Sequence, residues 1–521
     1  MKQQIKEKLE QALKKLNYKV DEVVVDYPKN DTFGDYSTNV AMILAKEANK
    51  NPMEIAEEIL KLAQDDKGLF EKIEIVKPGY INFYLSKKYL QDLVKKINKE
   101  EGKFGGGKIG EGKKIHLDFV SANPTGPVHL GNGRGGPYGD VLGNVFKKIG
   151  FEVWKEYYVN DFGNQVKVLG HSVLKDEKAE YKGDYIDDLN KKIKSKDPFE
   201  AGQEAARIII DKIIKPSMEK MGIYFDKYFS EKSLHDSGEV KKVFDDFKKK
   251  SLIYEKDAAL WFKASEFGDD KDRVVRKSSG EITYFGGDIA YHKNKFERGF
   301  NRLINVWGAD HHGDVKRVVG AVEALGYGGK LEVILTQMLK VIQDGKEVKM
   351  SKRKGTYVSM DDLVDEVGSD AVRFFFLMYS ADTHMTFDLN LAKERSEKNP
   401  VYYVQYAHAR ICSILEKAKE LKLKESENLD LLTHEKELEL IRELNKFPEI
   451  IEDISKNYEV HRLPYYVMSV ADKFHSFYNA CKVIDEENPE LTGARLKLID
   501  AVRIIIKEAL RILGVKAPNK M

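Results

Sequence analysis

Between an alternating apolar run and a helical one, this chain places Ser121-Ala-Asn-Pro-Thr-Gly-Pro-Val-His-Leu-Gly-Asn-Gly-Arg134. The preceding run, Ile115-His-Leu-Asp-Phe-Val120, alternates at the period of a buried strand. In the run that follows, Val141, Leu142, Val145 and Ile149 recur at the spacing of one helix face. A strand, a Gly/Pro-rich turn and a helix in that order form the opening βα unit of a nucleotide-binding sheet. Unpaired N–H groups and the helix dipole at such a helix start favour an anion. Many Gly-rich turns bind nothing, so the side chains must sharpen the reading. His129 and Asn132 can point the same way from the first helical turn, and Gly131 lets an adenine or ribose lie against bare backbone.

A second element lies far downstream, Val348-Lys-Met-Ser-Lys-Arg-Lys-Gly-Thr356, where Lys349, Lys352, Arg353 and Lys354 crowd ahead of a glycine. In that order, His129-Leu-Gly-Asn132 and Lys349-Met-Ser-Lys352 resemble the HIGH and KMSKS pair of class I aminoacyl-tRNA synthetases. A four-letter motif arises by chance; the ordered pair in one α/β context rarely does.

Bulk properties narrow the field without naming a function. A length of 521 residues suggests about three or four domains. Hydrophobic residues at 42% and charged residues at 33% describe a globular chain, not a disordered one. The net charge of only +2 does not announce nucleic acid, although a local basic face could still hold a polyanion. Cys412 and Cys481 stand far apart, which argues against a disulfide scaffold or a zinc site needing several thiolates. The charged opening Met1-Lys-Gln-Gln-Ile-Lys-Glu-Lys is no secretory signal, and no 18-residue apolar run exists. The expectation is a cytoplasmic protein without membrane spans.

Residues 1–105 read as a small α/β domain. Ile5, Leu9, Ala12, Leu13 and Leu16 form one helical stripe; Ile55, Ile59 and Leu62 form another after Asn51-Pro52. Lys72–Val76 and Tyr80–Leu85 alternate about Lys77-Pro-Gly79 as a hairpin. The glycine-dense stretch 101–112 is expected to be a linker. Residues 113–395 form the nucleotide-binding region. Its second strand is Phe151–Asp161, and helical insertions occupy roughly 165–270. Strand pieces resume at Arg273–Arg276, Glu281–Phe285, Arg302–Trp307 and Leu331–Thr336, with a helix ending near Gly326, implying a doubly wound parallel sheet. A hairpin from Met338 to Val348 delivers the lysine loop, and Ser359-Met-Asp-Asp362 has the spacing of a capping box. From 396 to 521 apolar residues recur at helical spacing, so an all-α bundle is expected. On its first helix Tyr403, Tyr406 and Arg410 share a face that suits unpaired bases, or equally an ordinary helix seam with a cation–π contact.

Three further stretches make the resemblance more specific. Phe33-Gly-Asp-Tyr36 with the hairpin, and Tyr403-Val-Gln-Tyr-Ala-His-Ala-Arg410 with the terminal Met521, are similar to the N-terminal and anticodon-binding domains of arginyl-tRNA synthetases. The resemblance then spans nearly the whole chain. It implies a Rossmann-type catalytic domain between an N-terminal domain that meets the tRNA elbow and a helical anticodon-binding domain. The N-terminal contacts would be Tyr80 and Asn82, exposed on one hairpin face; Tyr403, Tyr406, Arg410 and Met521 would contact the anticodon side. It further implies L-arginine, ATP with Mg2+ and tRNA for arginine as substrates, no tightly bound cofactor and no dedicated metal site. Arginine's carboxylate would attack the α-phosphorus of ATP, releasing pyrophosphate, before transfer to the tRNA 3′-terminal adenosine. The nucleophile is already an anion at pH 7, so catalysis reduces to alignment and charge neutralisation. His129, Asn132, Lys349, Lys352 and Arg353 are the right residue types for that. Pro127, Gly131, Met350, Ser351 and His312 complete the expected ATP site. Adjacent histidines point apart, so Asp310-His-His312 is read as a substrate-pocket loop, with metal binding as the minor alternative.

A guanidinium calls for carboxylates. By resemblance Asp118, Tyr284 and Asp288 would hold it, and Asn123 would orient the reacting end, with His312 near the amino acid. The first acid is often glutamate in the family, and aspartate here shortens the reach. Family members generally need bound tRNA even to activate arginine. The alternatives are a lysine-specific class I synthetase, a nucleotidyltransferase using the same motifs without tRNA, and a noncatalytic tRNA-binding relative. The two appended domains and the intact motifs disfavour the last two. A monomer is expected.

Overall fold

The computed structural model describes residues 1–63, 68–348 and 359–521. Five strands build the central sheet: β1 (Lys114–Phe119), β2 (Glu152–Val159), β3 (Lys227–Ser230), β4 (Arg302–Gly308) and β5 (Leu331–Thr336). All neighbouring pairs are parallel and the order is β5-β4-β1-β2-β3. The chain runs outward from β1 to one edge and then restarts on its other side. A crevice therefore opens beyond the carboxyl ends of β1 and β4, where doubly wound sheets bind their ligands.

The alternation in β1 divides the sheet's two faces. Ile115, Leu117 and Phe119 are fully buried, and on their side helix Gly135–Lys148 lies so close that a Cβ at Gly139 would sit 2.4 Å from the Phe119 ring. His116 and Asp118 point the other way. In register with Asp118 are Glu156 on β2 and Asn305 on β4, all buried. That row faces helix Tyr284–Glu297. One layer is thus apolar and the other polar.

Strand β3 corrects the expected insertion. Residues 165–256 are mainly helical, as expected, yet Lys227–Ser230 returns to form the edge of the central sheet. A short antiparallel sheet of Ile253–Lys256, Ala259–Phe262 and Arg273–Arg276 follows. Glu281–Phe285 is not a strand. Only Ile282 bridges to Arg276, and Thr283 caps a helix that starts at Tyr284, its side chain accepting from Gly286 N at 3.2 Å.

The N-terminal region holds a three-stranded antiparallel sheet, with Tyr80–Leu85 between Tyr36–Thr38 and Phe70–Val76. Its first stripe is buried at Ile5, Leu9, Ala12 and Leu13, while Leu62 of the second is 42% exposed. Asn82 corrects another expectation. It lies in the central strand, is buried and accepts a hydrogen bond from Ser37 Oγ at 2.6 Å. Tyr80 is exposed, as expected. The glycine-rich stretch after helix Lys87–Glu100 is not a free linker: a Cβ at Gly110 would collide with Phe151 and one at Gly105 with Phe447.

Helices Pro400–Glu420, Glu435–Asn445, Phe447–Asn457, Arg462–Ala480 and Pro489–Leu513 form the C-terminal bundle. Fully buried Arg373 ties it to the catalytic region, donating to Leu513 O at 2.8 Å, to Met221 O at 2.9 Å and to the Asp140 carboxylate. The capping box at Ser359 and Asp362 is present on helix Met360–Val367. Among the described residues, no helix is long and apolar enough to cross a membrane.

Candidate active site

The chain leaves β1 through two consecutive left-handed residues, Val120 (φ 67°) and Ser121 (φ 37°). Non-glycine residues rarely hold that conformation, and the surroundings fix it. Ser121 Oγ donates to Asp118 at 2.7 Å and accepts from Tyr158 N at 3.0 Å. Tyr157 and Tyr185 then clamp the loop by donating to Ala122 O at 2.7 Å and Thr125 O at 2.8 Å. At its end His129 caps the short helix Leu130–Gly133, its Nδ1 accepting from Gly131 N at 3.1 Å. Burial holds the His129 imidazole below its ordinary range. Asn123, Pro127, His129 and Asn132 are exposed on the crevice side of this unit, and Gly131 is half-buried.

The described chain resumes at Ser359, against the same turn. Ser359 bridges His129, and Met360 N donates to Val128 O at 3.0 Å. A Cβ at Gly133 would meet Met360 Cε at 2.7 Å. On the other side Val348 N donates to Val341 O at 2.9 Å, ending the hairpin. Lys349, Met350, Ser351, Lys352 and Arg353 lie outside the described residues. Buried Arg134 braces the neighbourhood, donating to the carbonyls of Gln337, Thr383 and Ser380 at 2.6, 2.8 and 3.0 Å. His312, exposed, begins helix His312–Ala324 just past β4, so the Trp307–Gly313 loop forms the opposite lip of the crevice.

Tyr284 and Asp288 sit four residues apart on the first turns of their helix, hence on one face. Tyr284 is 49% exposed, and Asp288 is half-buried beneath it. No cation among the described residues pairs with the Asp288 carboxylate. Its pKa is pushed up to about 7, first by burial, then by the nearby charges of Glu231 and Asp314, which Lys295 only partly offsets. Glu231 faces it from the end of β3; a Cβ at Gly287 would lie 2.9 Å from Glu231 Oε1. Burial raises the Glu231 carboxyl as well. Turned to satisfy both ends, the Asn160 amide donates to Glu231 Oε2 at 2.7 Å. Two acids held above their usual range in a crevice form a receptor for a cation. Glu231 and Asn160 escape a reading of the sequence because they sit just past the ends of β3 and β2 without any recognisable spacing; only β3 joining the sheet brings Glu231 here.

Asp118, expected beside Tyr284 and Asp288 on the guanidinium, behaves differently from Asp288. It is buried, with Oδ2 2.8 Å from Lys295 Nζ and Oδ1 occupied by Ser121. Burial works against its charge, but the adjacent Lys295 ammonium prevails and holds the carboxyl below its usual range. Beside it lies a network centred on Glu156. Glu156 accepts from Tyr291 at 2.8 Å and from both Arg298 nitrogens at 2.7 and 2.8 Å, and pairs with His116 Nε2 at 3.1 Å. His292 Nε2 meets Asn305 at 2.9 Å, and its Nδ1 meets Asp288 O at 2.7 Å. Burial lowers the two imidazoles to about 4 for His116 and about 3 for His292, keeping both neutral.

Of the residues expected to meet tRNA, Tyr403 and Tyr406 line a pocket of about 760 Å3 on the bundle with Tyr402, Asp472 and His475. Arg410 donates to Tyr406 Oη at 2.7 Å and lies 4.3 Å over the Tyr478 ring. Met521 is 54% exposed.

Comparison with known proteins covers the same three regions. Residues 3–85 match the arginyl tRNA synthetase N terminal domain, 93–196 and 187–378 the catalytic domain of class I (R) tRNA synthetases, and 404–521 the DALR anticodon binding domain. The chain is 44% identical to the arginine–tRNA ligase of Bacillus subtilis strain 168, covering 100% of this chain and 99% of the relative. It is 44% identical to that of Listeria monocytogenes serovar 1/2a, covering 99% and 98%. The solved structure of Thermus thermophilus arginyl-tRNA synthetase superposes over 100% of both chains with a TM-score of 0.79 at 20% identity, a likeness of fold. With the His129 motif at the crevice and two carboxylates held above their usual range beside it, the full-length identity places the chain in the arginyl-tRNA synthetase family.

Proposed function

We infer that this protein is an arginine–tRNA ligase, which joins L-arginine to tRNA at the expense of ATP. The observation that carries the reading is the Asp288–Glu231 pair, two carboxylates held above their usual range next to the His129 motif, with only His235 at 3.7 Å from Glu231 and no lysine or arginine paired with either among the described residues. Arginine's guanidinium is always charged and offers a planar fork of donors, the best complement to such a pair. Asp288 and Glu231 take the guanidinium under Tyr284, while Asn123 holds the α-amino and carboxylate end toward the crevice. ATP lies along Pro127, His129, Gly131 and Asn132, with His312 on the opposite lip. His129 and Asn132 donate to the phosphates as charge builds there; Lys349, Lys352 and Arg353, with Met350 and Ser351, close over them. Mg2+ enters with the ATP phosphates. The arginyl-adenylate is then attacked by the terminal ribose hydroxyl of tRNA, held by the exposed Tyr80 on the N-terminal domain and by Tyr403, Tyr406, Arg410 and Met521 on the bundle. The domains divide at 1–105, 113–395 and 396–521, and the enzyme works as a cytoplasmic monomer.

Arginine-dependent ATP–pyrophosphate exchange, run with and without tRNA for arginine and with lysine as control, tests this. Exchange with arginine but not lysine is the expected result. Exchange with lysine instead would overturn the pocket assignment, and exchange with neither would favour a noncatalytic tRNA-binding protein.

A further inference from the structure

We propose that Lys295 is a positioning residue for the arginine site: its buried ammonium holds Asp118, and through Asp118 and Ser121 the turn that carries Asn123. Asp118 on this view serves the shape of the pocket and never touches substrate, which leaves Glu231 and Asp288 to meet the guanidinium. The inference rests on the ligase reading above.

Lys295 lies seven residues after Asp288, two turns deeper on the same face of the helix. Its Nζ has no exposure and three partners: Asp118 Oδ2 at 2.8 Å, Asn305 Oδ1 at 3.3 Å and the Tyr291 ring at 3.9 Å. Asp118 is equally occupied, since Ser121 Oγ takes its second oxygen at 2.7 Å. With Asp118 only 4% exposed and a partner already on each oxygen, a guanidinium would have to crowd Lys295 or Ser121 to reach it. Displacing Lys295 strands a buried ammonium; displacing Ser121 releases the left-handed pair Val120–Ser121, from which the loop to Asn123 departs. The shortened acid thus fits a lysine below it better than a ligand above it. Of the charged and titratable groups facing Asp288, Glu231 comes from the end of β3, Asp314 from helix His312–Ala324, Asp118 from β1 and Tyr158 from β2. Lys295 is the cation in that set.

The test measures tRNA-supported pyrophosphate exchange on the full chain for Asp118→Asn, Lys295→Met and the double variant, with thermal unfolding of each. In Asp118→Asn the side chain still accepts from Ser121, so the arginine KM should stay within roughly threefold of wild type. Lys295→Met leaves Asp118 charged and unpaired, and kcat should fall about 30-fold or more through misplacement of Asn123. The double variant removes both charges and should recover at least about tenfold of that loss, a non-additive cycle. Removing Lys295 should also move the pH dependence of the arginine KM upward, which a merely structural lysine would not do. An Asp118→Asn variant whose arginine KM rises about 100-fold at unchanged kcat would overturn the proposal, because that is the signature of a substrate contact. Should Lys295→Met not fold, Asp118→Asn alone decides between the two outcomes. Failure of wild type to exchange with arginine would strike the ligase reading itself; normal wild-type exchange with the KM loss in Asp118→Asn would strike only this inference.

Discussion

One helix, Tyr284–Glu297, carries charge at both ends in opposite circumstances. At its deep end Lys295, with Arg298 just beyond it, is matched by Asp118 and Glu156, and every carboxylate oxygen there has a partner. At its outer end Asp288 and Glu231 face each other with no lysine or arginine paired to either among the described residues, only His235 lying 3.7 Å from Glu231. Lys295, Asp118 and Glu156 at the deep end are buried and Asp288 at the outer end is half-buried, but exposure is not the whole of the contrast. The difference is satisfaction. Buried ions that are fully paired hold elements in register, whereas acids kept above their usual range await a partner from outside.

The contrast can be broken most sharply at Asp288. Replacing it with Asn should raise the arginine KM by about 1000-fold, in line with truncating one partner of a desolvated charge pair, while ATP affinity is spared. Exchange kinetics at saturating ATP check this. Because its folded pKa is raised, Asp288 destabilises the fold increasingly as pH climbs from the ordinary carboxylate range through about 7. Asp288→Asn should therefore melt at a higher temperature than wild type at pH 8, with a smaller gain at pH 5.

Glu231→Gln should follow with a loss of about 30-fold in arginine KM, since Asp288 remains to pair with the guanidinium. In wild type the arginine KM should improve as pH rises through about 7, because only ionised Asp288 attracts the cation. Calorimetry in two buffers of different ionisation enthalpy should register proton release on arginine binding below that pH. A flat profile between pH 6 and 8 would mean that Asp288 is already ionised by a cation of its own.

The deep end should respond in the opposite sense. Arg298→Met strips Glu156 of two hydrogen bonds and should cost about 3–5 kcal/mol of stability with an arginine KM within about threefold of wild type. A lowered unfolding temperature beside a normal KM supports the division; a large KM change would erase it. Smallest of all, Tyr284→Phe should change the arginine KM by about fivefold or less, the worth of one hydroxyl at a half-exposed site.

Much of this architecture is legible in the residues themselves. Period-two alternation in Ile115–Val120 and the following glycine-rich turn dictate a βα unit, because no other arrangement buries that strand and frees that turn. The resemblance to arginyl-tRNA synthetases singles out Asp288 in Tyr284-x-x-x-Asp288, although Glu281–Phe285 has the composition of a strand and Tyr284 opens a helix. The spacing of four is the better guide than the β-prone Ile-Thr-Tyr-Phe composition, since Thr283 can cap and tertiary packing overrides propensity. Asn82 escapes for a related reason: alternation gives the faces of a hairpin, but not which face a third strand and its helices will cover.

The sequence alone determined the local units, the order of the motifs and the kinship with arginyl-tRNA synthetases, all of which depend on near neighbours in the chain or on direct comparison of residues. Which acids are open and which are spent was decided only in three dimensions. Asp118 and Asp288 look equivalent as letters, but one has Lys295 delivered beneath it by a helix far along the chain, and the other has Glu231 brought opposite by a returning edge strand. The charge state of a carboxylate depends on distances of a few ångströms to groups distant in sequence, and no spacing along the chain encodes those.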